Sequence, residues 1–296
     1  MLTRKAYVEF VVEKREPEPI LLNLNQIIKK EAEIIKDGKR LEEIDIKFSV
    51  RRYRGQQTAE AYIDICNLAR QDMEYLTSYM GYAGEKSKRK RIILYAGYEE
   101  TGVNFLFDGD IIEALPTSPP DIWLRCKAIV SFYDNQSTIN VAYENITIQD
   151  LGLKIANILN LKLDFRIETN KTIKAFNYDG GKTNILNELN AIDEKIVGYE
   201  EFGKLIIDDK DKKLKTKNVM KVSKDTGMIG MPEIGPQKII VKTFLNNNFK
   251  LGNELLLESM MIPSANGTYY SYYLEHNGHL RGNEWYTTLY CHRFKT

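Results

Sequence analysis

The sequence predicts an α+β fold that is mainly β, with two strand-rich units and a small α+β domain between them. Three observations carry this. Residues 226–294 alternate apolar and β-branched runs with turn residues at Pro232, Gly235-Pro236, Asn246–Asn248, Gly252-Asn253, Asn266-Gly267, Asn277-Gly278 and Gly282-Asn283. Short runs cut in this way form a compact antiparallel sheet or barrel. Residues 44–130 repeat the pattern around one helical stretch, and from about Asp134 helical and strand periods are mixed. The domains read as 1–134, 135–222 and 223–296.

In chain order, 6–14 reads as a first strand, stopped by Pro17 and Pro19. Residues 23–38 stay open: Leu24, Ile27, Ile28 and Ile35 suit one helical face, while Asp37-Gly38 suits a hairpin turn. Strand 44–52 alternates, with Ile44, Ile46, Phe48 and Val50 on one face, and 59–67 is its mate. A short helix over 70–80 puts Met73, Leu76 and Met80 on one side. Strands 92–98 and 103–111 form a hairpin in which Gly109 marks a bulge, and a strand over 122–130 follows the prolines at 116–120. The first unit therefore reads as a barrel or sandwich with one small helix.

In the middle domain Thr147 opens a helix as its cap, with Asp150 three residues on, and Ile148, Leu151, Ile155 and Ile158 form the apolar stripe. Strands 161–168 and 172–178, a helix over 183–192 and a hairpin of 195–199 with 204–208 complete it. The lysine-rich 210–217 reads as a solvated connector.

Composition excludes several function classes. The 296 residues are 43% hydrophobic and 28% charged, and Lys+Arg 42 against Asp+Glu 41 leaves a net charge of +1. Such a balance gives no reason to expect nucleic acid or an anionic membrane. No apolar run reaches the roughly 18 residues of a membrane span. Cys66, Cys126 and Cys291 are odd in number and far apart, so they read as reduced thiols made in a cytoplasm. The 18 tyrosines suit assembly surfaces, burying area while keeping a polar tip.

No catalytic, cofactor or metal site emerges. The basic run Lys86, Lys88, Arg89, Lys90, Arg91 carries no interleaved aromatic and reads first as a solvated loop at a strand end, then as a contact to an acidic partner, and last as a contact to nucleic acid. His276, His279, Cys291 and His292 lack zinc spacing, because the first two bracket Asn277-Gly278, read as a turn, and the last two point to opposite faces. Asp108-Gly109-Asp110 lacks the later ligands of a calcium loop, and Gly180-Gly181 is a bend rather than a phosphate cradle. GxSxG, HExxH and CxxC motifs are absent.

Four stretches in order resemble the Mu-like hub family of phage tail and baseplate proteins, and are similar to the tube-like hub of type VI secretion spikes. They are IDIKFSV with AYIDICNLAR; RIILYAGYEETGVNFLFDGDI; TIQDLGLKIANIL with IKAFNYDGGKTNILNELN; and TGMIGMPEI through VKTFLNNNFKLGNELLL to NGTYYSYYLEHNGHLRGNEWYTTLYC. They span most of 44–294, with 23–43 longer than the family pattern. The resemblance implies two tube-type antiparallel β-barrel units, one over 1–134 and one over 223–296. It implies a homotrimeric ring joining a hexameric tail tube to a trimeric spike or tail-tip protein, among other baseplate proteins. It implies no enzyme activity, cofactor, membrane or specific nucleic acid, and a place in the virion tail after assembly in the host cytoplasm. Under it, Trp123 and Trp285 anchor the cores of the two barrels, and Gly102, Gly109, Gly252 and Gly267 hold turns or bulges. The alternative is a β-barrel module for a glycan or oligonucleotide, with residues 86–91 lining the groove.

Overall fold

The structure, a computed structural model, describes residues 2–12, 39–42, 44–55, 59–77, 90–130, 138–168, 170–210, 219–236 and 238–293. It is mainly β, and its residues gather into two units. The first comprises Met1–Val50, Glu60–Ser131 and His276–Trp285; the second comprises Arg51–Ala59, Phe132–Glu275 and Tyr286–Thr296.

The first unit is built from β1 (Arg4–Val12), β2 (Lys39–Leu41), β3 (Ile46–Tyr53, to Val50), β4 (Glu60–Cys66), α1 (Arg70–Thr77), β5 (Lys90–Tyr98), β6 (Gly102–Pro116) and β7 (Trp123–Ile129). Its strands run in the order β2-β1-β5-β6-β7-β4-β3, followed by the end of a late strand, β17 (Gly267–His279). Alternation explains the core. Ile46, Phe48 and Val50 point inward with Ala61, Ile63 and Ile65, while Ile92, Leu94 and Ala96 do the same on β5. Trp285 is buried edge-on against Phe48 with ring centroids at 5.6 Å, and Arg4 lies 5.7 Å over the same indole. Arg4 also donates to the carbonyl of Gly282 at 2.5 Å, so side chains tie the first strand to the last segment of this unit.

Gly109 is not a bulge: it pairs in register with Ile92, while the ladders skip Leu106 on the β5 side and Ile112 on the β7 side. Gly102, Gly252 and Gly267 do take left-handed φ values of 99°, 74° and 148°. Asn277-Gly278 is no turn but lies inside β17, and the Phe48 ring occupies the space where a side chain at 278 would stand. Trp123 and Trp285 belong to one unit rather than two, and Trp123 is only half-buried, edge-on to His279 at 5.9 Å.

In the second unit, β8 (Thr138–Thr147), α2 (Ile148–Ile158), β9 (Lys162–Phe165), β10 (Thr172–Gly181), α3 (Ile185–Ala191), β11 (Ile196–Glu201) and β12 (Lys204–Asp209) come first. Strand β8 falls outside the sequence expectation, which has no strand before the helix. It pairs with β10 along its length, Gly181 facing Thr138, so Gly180-Gly181 ends a strand instead of forming a bend. The cap is as expected: Thr147 Oγ1 accepts from the Asp150 amide at 3.1 Å and donates to the Asp150 carboxylate at 2.7 Å. Strand β9 joins β12 in parallel and β12 joins β11 antiparallel. One face of this three-stranded sheet meets the helices through Ile196, Leu205 and Ile207; the other gives Val197, Tyr199 and Ile206 to a second core with Leu251, Leu255 and Leu289.

That second core belongs to β13 (Met220–Ser223), β14 (Met228–Ile234), β15 (Lys238–Phe244), β16 (Glu254–Glu258), β17 and β18 (Trp285–Arg293). The order is β14-β15-β18-β17, then the end of β3, with β16 and β13 branching from β17. Pro232 is not a break: it lies inside β14, where the ladder with β15 shifts register. The expectations for 23–38 and for the connector 211–217 lie outside the described residues.

Candidate functional site

Of the zinc candidates, His276 and His279 belong to the first unit and Cys291 and His292 to the second. His279 Nε2 lies 3.2 Å from Asp45 Oδ2, and the thiol of Cys66 stands near this acid. The arrangement lacks an activated nucleophile. Burial pushes the Cys66 thiol up, and Asp121 and Asp45 push it the same way, whereas a reactive thiolate needs a lowered value. Burial likewise pushes Cys126 up to about 12. The other zinc candidates are dispersed: His276 is buried in β17 and His292 stacks on Tyr272 with ring centroids at 4.1 Å. No group of three His, Cys, Asp or Glu side chains is placed to hold a metal among the described residues. No described helix is long and apolar enough to cross a membrane.

The described end of the basic run is used internally. Lys90 is buried, donating to the carbonyl of Leu76 at 3.3 Å at the end of α1, and Arg91 makes a two-pronged pair with Asp108. Residues 86–89 lie outside the described residues. Asp108, once a calcium-loop candidate, is therefore the partner of a guanidinium.

Each unit instead displays an aromatic ladder on the sheet face opposite its core. In the first, Tyr7 stacks on Tyr95 at 4.6 Å, Phe105 stands edge-on to Tyr95 at 6.0 Å, and the Arg40 guanidinium covers Tyr7 at 3.5 Å. In the second, Tyr53 stacks on Tyr273 at 4.7 Å and Tyr273 meets Tyr290 at 4.7 Å, beside the Arg51–Glu275 pair at 3.1 Å. Cross-strand pairs of this type stabilise a sheet by about 0.2–1 kcal/mol each and leave half-exposed rings on its outer face. Burial raises the phenols of Tyr95, Tyr273 and Tyr290, so these rings stay neutral. Exposed apolar side chains add to the outer surface of the second unit. Met231 and Ile234 lie on β14 and Phe244 on β15, while Met260 and Met261 are 83% and 70% exposed. The loop carrying the two methionines is fixed from within: the Ser259 amide donates to Asn266 Oδ1 at 2.6 Å and the Tyr269 hydroxyl donates to the Ala265 carbonyl at 2.7 Å.

Sequence reasoning missed a buried ionic cluster in the second unit. Strand β3 keeps its inward parity past Val50, which places Arg52 inside at 6% exposure. The Arg52 guanidinium lies 3.9 Å over the Phe202 ring and feels the charges of Glu201 and Glu200. Arg54 Nη2 donates to Asp208 Oδ2 at 2.8 Å and to the Asp209 carbonyl at 3.0 Å. Glu201 accepts from the Leu251 amide at 2.9 Å, and Arg166 pairs with Asp164 at 2.8 Å. Burial raises the carboxyls of Glu201 and Asp208 despite their cationic neighbours. The period-2 parity of β3 could have flagged Arg52; its acidic partners, some 150 residues away, had no local signal.

Comparison with known proteins gives this architecture a context. The family model described as baseplate hub gp41 matches residues 28–291. No curated protein matches. Among solved structures, the tail protein from Neisseria meningitidis MC58 superposes with a TM-score of 0.64 at 9% identity, covering 98% of this chain and 97% of that one. The 43 kDa tail protein of prophage MuSo2 from Shewanella oneidensis gives 0.60 at 8% identity, over 86% and 94%. The E. coli c3393 protein is a type VI secretion component with structural similarity to T4 tail proteins gp27 and gp5. It gives 0.57 at 10% identity, over 85% and 74%. At these identities the likeness is one of fold.

Proposed function

The chain belongs to the baseplate hub gp41 family, and we propose that three copies of it form the central ring of a phage tail baseplate. The family match across 28–291 carries this reading and makes the chain a structural protein of the tail. In the proposal, the tube-type units over 1–134 and 223–296 supply two similar faces per chain, with the α+β domain over 135–222 between them. Three chains then offer six faces to a hexameric tail tube and threefold symmetry to a spike or tail-tip protein, with other baseplate proteins around the ring. A ring of this kind leaves no open sheet edges. Its address is the virion tail, after assembly in the host cytoplasm, and it works without catalysis, cofactor, membrane or specific nucleic acid.

Two features support the reading. Each unit carries its own three-ring aromatic ladder, a composition enriched at protein interfaces. The second unit holds Met260 and Met261 out to water on a hydrogen-bonded loop, and contiguous exposed apolar surface of this kind marks contacts with other proteins. The groove alternative draws no support from Lys90 and Arg91, both engaged within the chain. Light scattering on the purified chain is expected to give about three times its 34.3 kDa mass. A particle of single-chain mass at every concentration would overturn the homotrimer.

A further inference from the structure

Between β6 and β7 the first unit carries a proline-rich tip. Leu115 is 54% exposed, and Pro116, Ser118, Pro119, Pro120 and Asp121 are exposed after it. The tip is built so that it can be covered. Pro116, Pro119 and Pro120 have no N–H to leave without a partner. The Thr117 amide donates to the Trp123 carbonyl at 2.8 Å, and Thr117 Oγ1 accepts from the Trp123 amide at 2.8 Å.

The second unit carries the chemistry that fits such a tip. Tyr53, Tyr273 and Tyr290 form a row across β3, β17 and β18, and Tyr272 stacked on His292 forms another, all of them half-exposed. Proline rings pack against rows of aromatic side chains, and tyrosine hydroxyls at the rim donate to carbonyls of the proline segment. The ladder of the first unit is already capped, because the Arg40 guanidinium covers Tyr7. Charge agrees with this match: exposed Glu113 and Asp121 flank the tip, while exposed Arg293 and Lys238 lie next to His292 at one end of the rows.

We infer that the tip of one copy, residues 115–121, seats on the tyrosine rows of the next copy. This contact rests on the ring proposed above and is its joint. Tip and rows belong to different units of the chain, so the joint is head-to-tail. Three copies close with every tip and every row used, whereas an open string leaves one of each uncovered.

Light scattering on the wild-type chain comes first. A single-chain mass at every concentration is failure of the ring itself, and takes the joint with it before any variant is made. With the trimer in hand, Ser118→Asp puts a charge in the middle of the tip and leaves the Thr117 hydrogen bonds in place, while Pro119→Ser/Pro120→Ser removes two rings. Each is expected to weaken association by roughly thirtyfold or more, the effect of losing one anchor side chain of an interface. Hydroxyl-radical labelling read by mass spectrometry then locates the receiving surface. Tyr273 and Tyr290 should be labelled several-fold less in the wild-type trimer than in the dissociated Ser118→Asp chain. A Ser118→Asp trimer as tight as wild type would overturn the joint and leave the ring standing. Equal labelling of the two tyrosines in both states would do the same, and would give the rows to another tail protein.

Discussion

Replacing Gly109 with alanine is expected to destabilise the first unit by roughly 3 kcal/mol or more, lowering its thermal midpoint by on the order of 10 °C. A β-carbon built at 109 stands 2.2 Å from the carbonyl oxygen of Ile129 and 2.7 Å from both its carbonyl carbon and Phe107 Cε1. The obstruction is the backbone of the neighbouring strand β7, which cannot yield without breaking the ladder it shares with β6. Gly278→Ala provides the contrast. There the new carbon would stand 2.3 Å from Phe48 Cζ, a side-chain atom. Shortening the ring in Gly278→Ala/Phe48→Leu should therefore recover part of the loss, whereas no single side-chain change should rescue Gly109→Ala. Tryptophan fluorescence follows this unit selectively, because Trp123 and Trp285 both belong to it. A Gly109→Ala protein that unfolds at the wild-type temperature would contradict the packing described for β6 and β7.

Breaking the Arg54–Asp208 pair is the second large effect. Arg54→Met leaves a carboxylate buried beside an apolar side chain, and loss of one partner of a buried pair costs about 3–5 kcal/mol. Arg54 also holds the Asp209 carbonyl, which loses a donor in the same variant. Replacing both residues, as Arg54→Met/Asp208→Leu, should restore most of the stability, because two apolar groups of similar size carry no desolvation cost. Urea unfolding followed by circular dichroism and by exchange of the β12 amides distinguishes these outcomes. Equal stability of wild type and Arg54→Met would show that the pair holds nothing together.

The fold was legible wherever one face of an element is buried. Strand β3 alternates as Ile46, Phe48, Val50 against Lys47, Ser49, Arg51, and α2 shows Ile148, Leu151 and Ile155 on one side, so local period and burial agree. Strand β8 was not legible. Its two-stranded sheet leaves most of Thr138–Thr147 exposed or half-exposed, which removes the apolar contrast that marks a strand. Asn277-Gly278 misled for a different reason: the glycine answers to the Phe48 ring across the sheet, a contact between residues 230 positions apart. Strand β6 runs on to Pro116 past two register shifts, at Leu106 against β5 and at Ile112 against β7, beyond the apolar pattern of 103–111. The outer aromatic ladders were only a tyrosine count in the sequence, since pairing Tyr53 with Tyr273 and Tyr290 needs the strand order. The ionic cluster was hidden likewise, an arginine at an inward position being a signal only when its acids are known to face it.

The proposed ring matches a sixfold tube to a threefold spike. The direct measurement is the stoichiometry of the complex between the purified chain and its tail tube protein, read from the mass and symmetry of the particle. Three chains per hexameric tube ring, with the two strand-rich units of each chain in similar positions around the axis, is the predicted result. Six chains per ring, or a purified chain that does not join the tube at all, would contradict it.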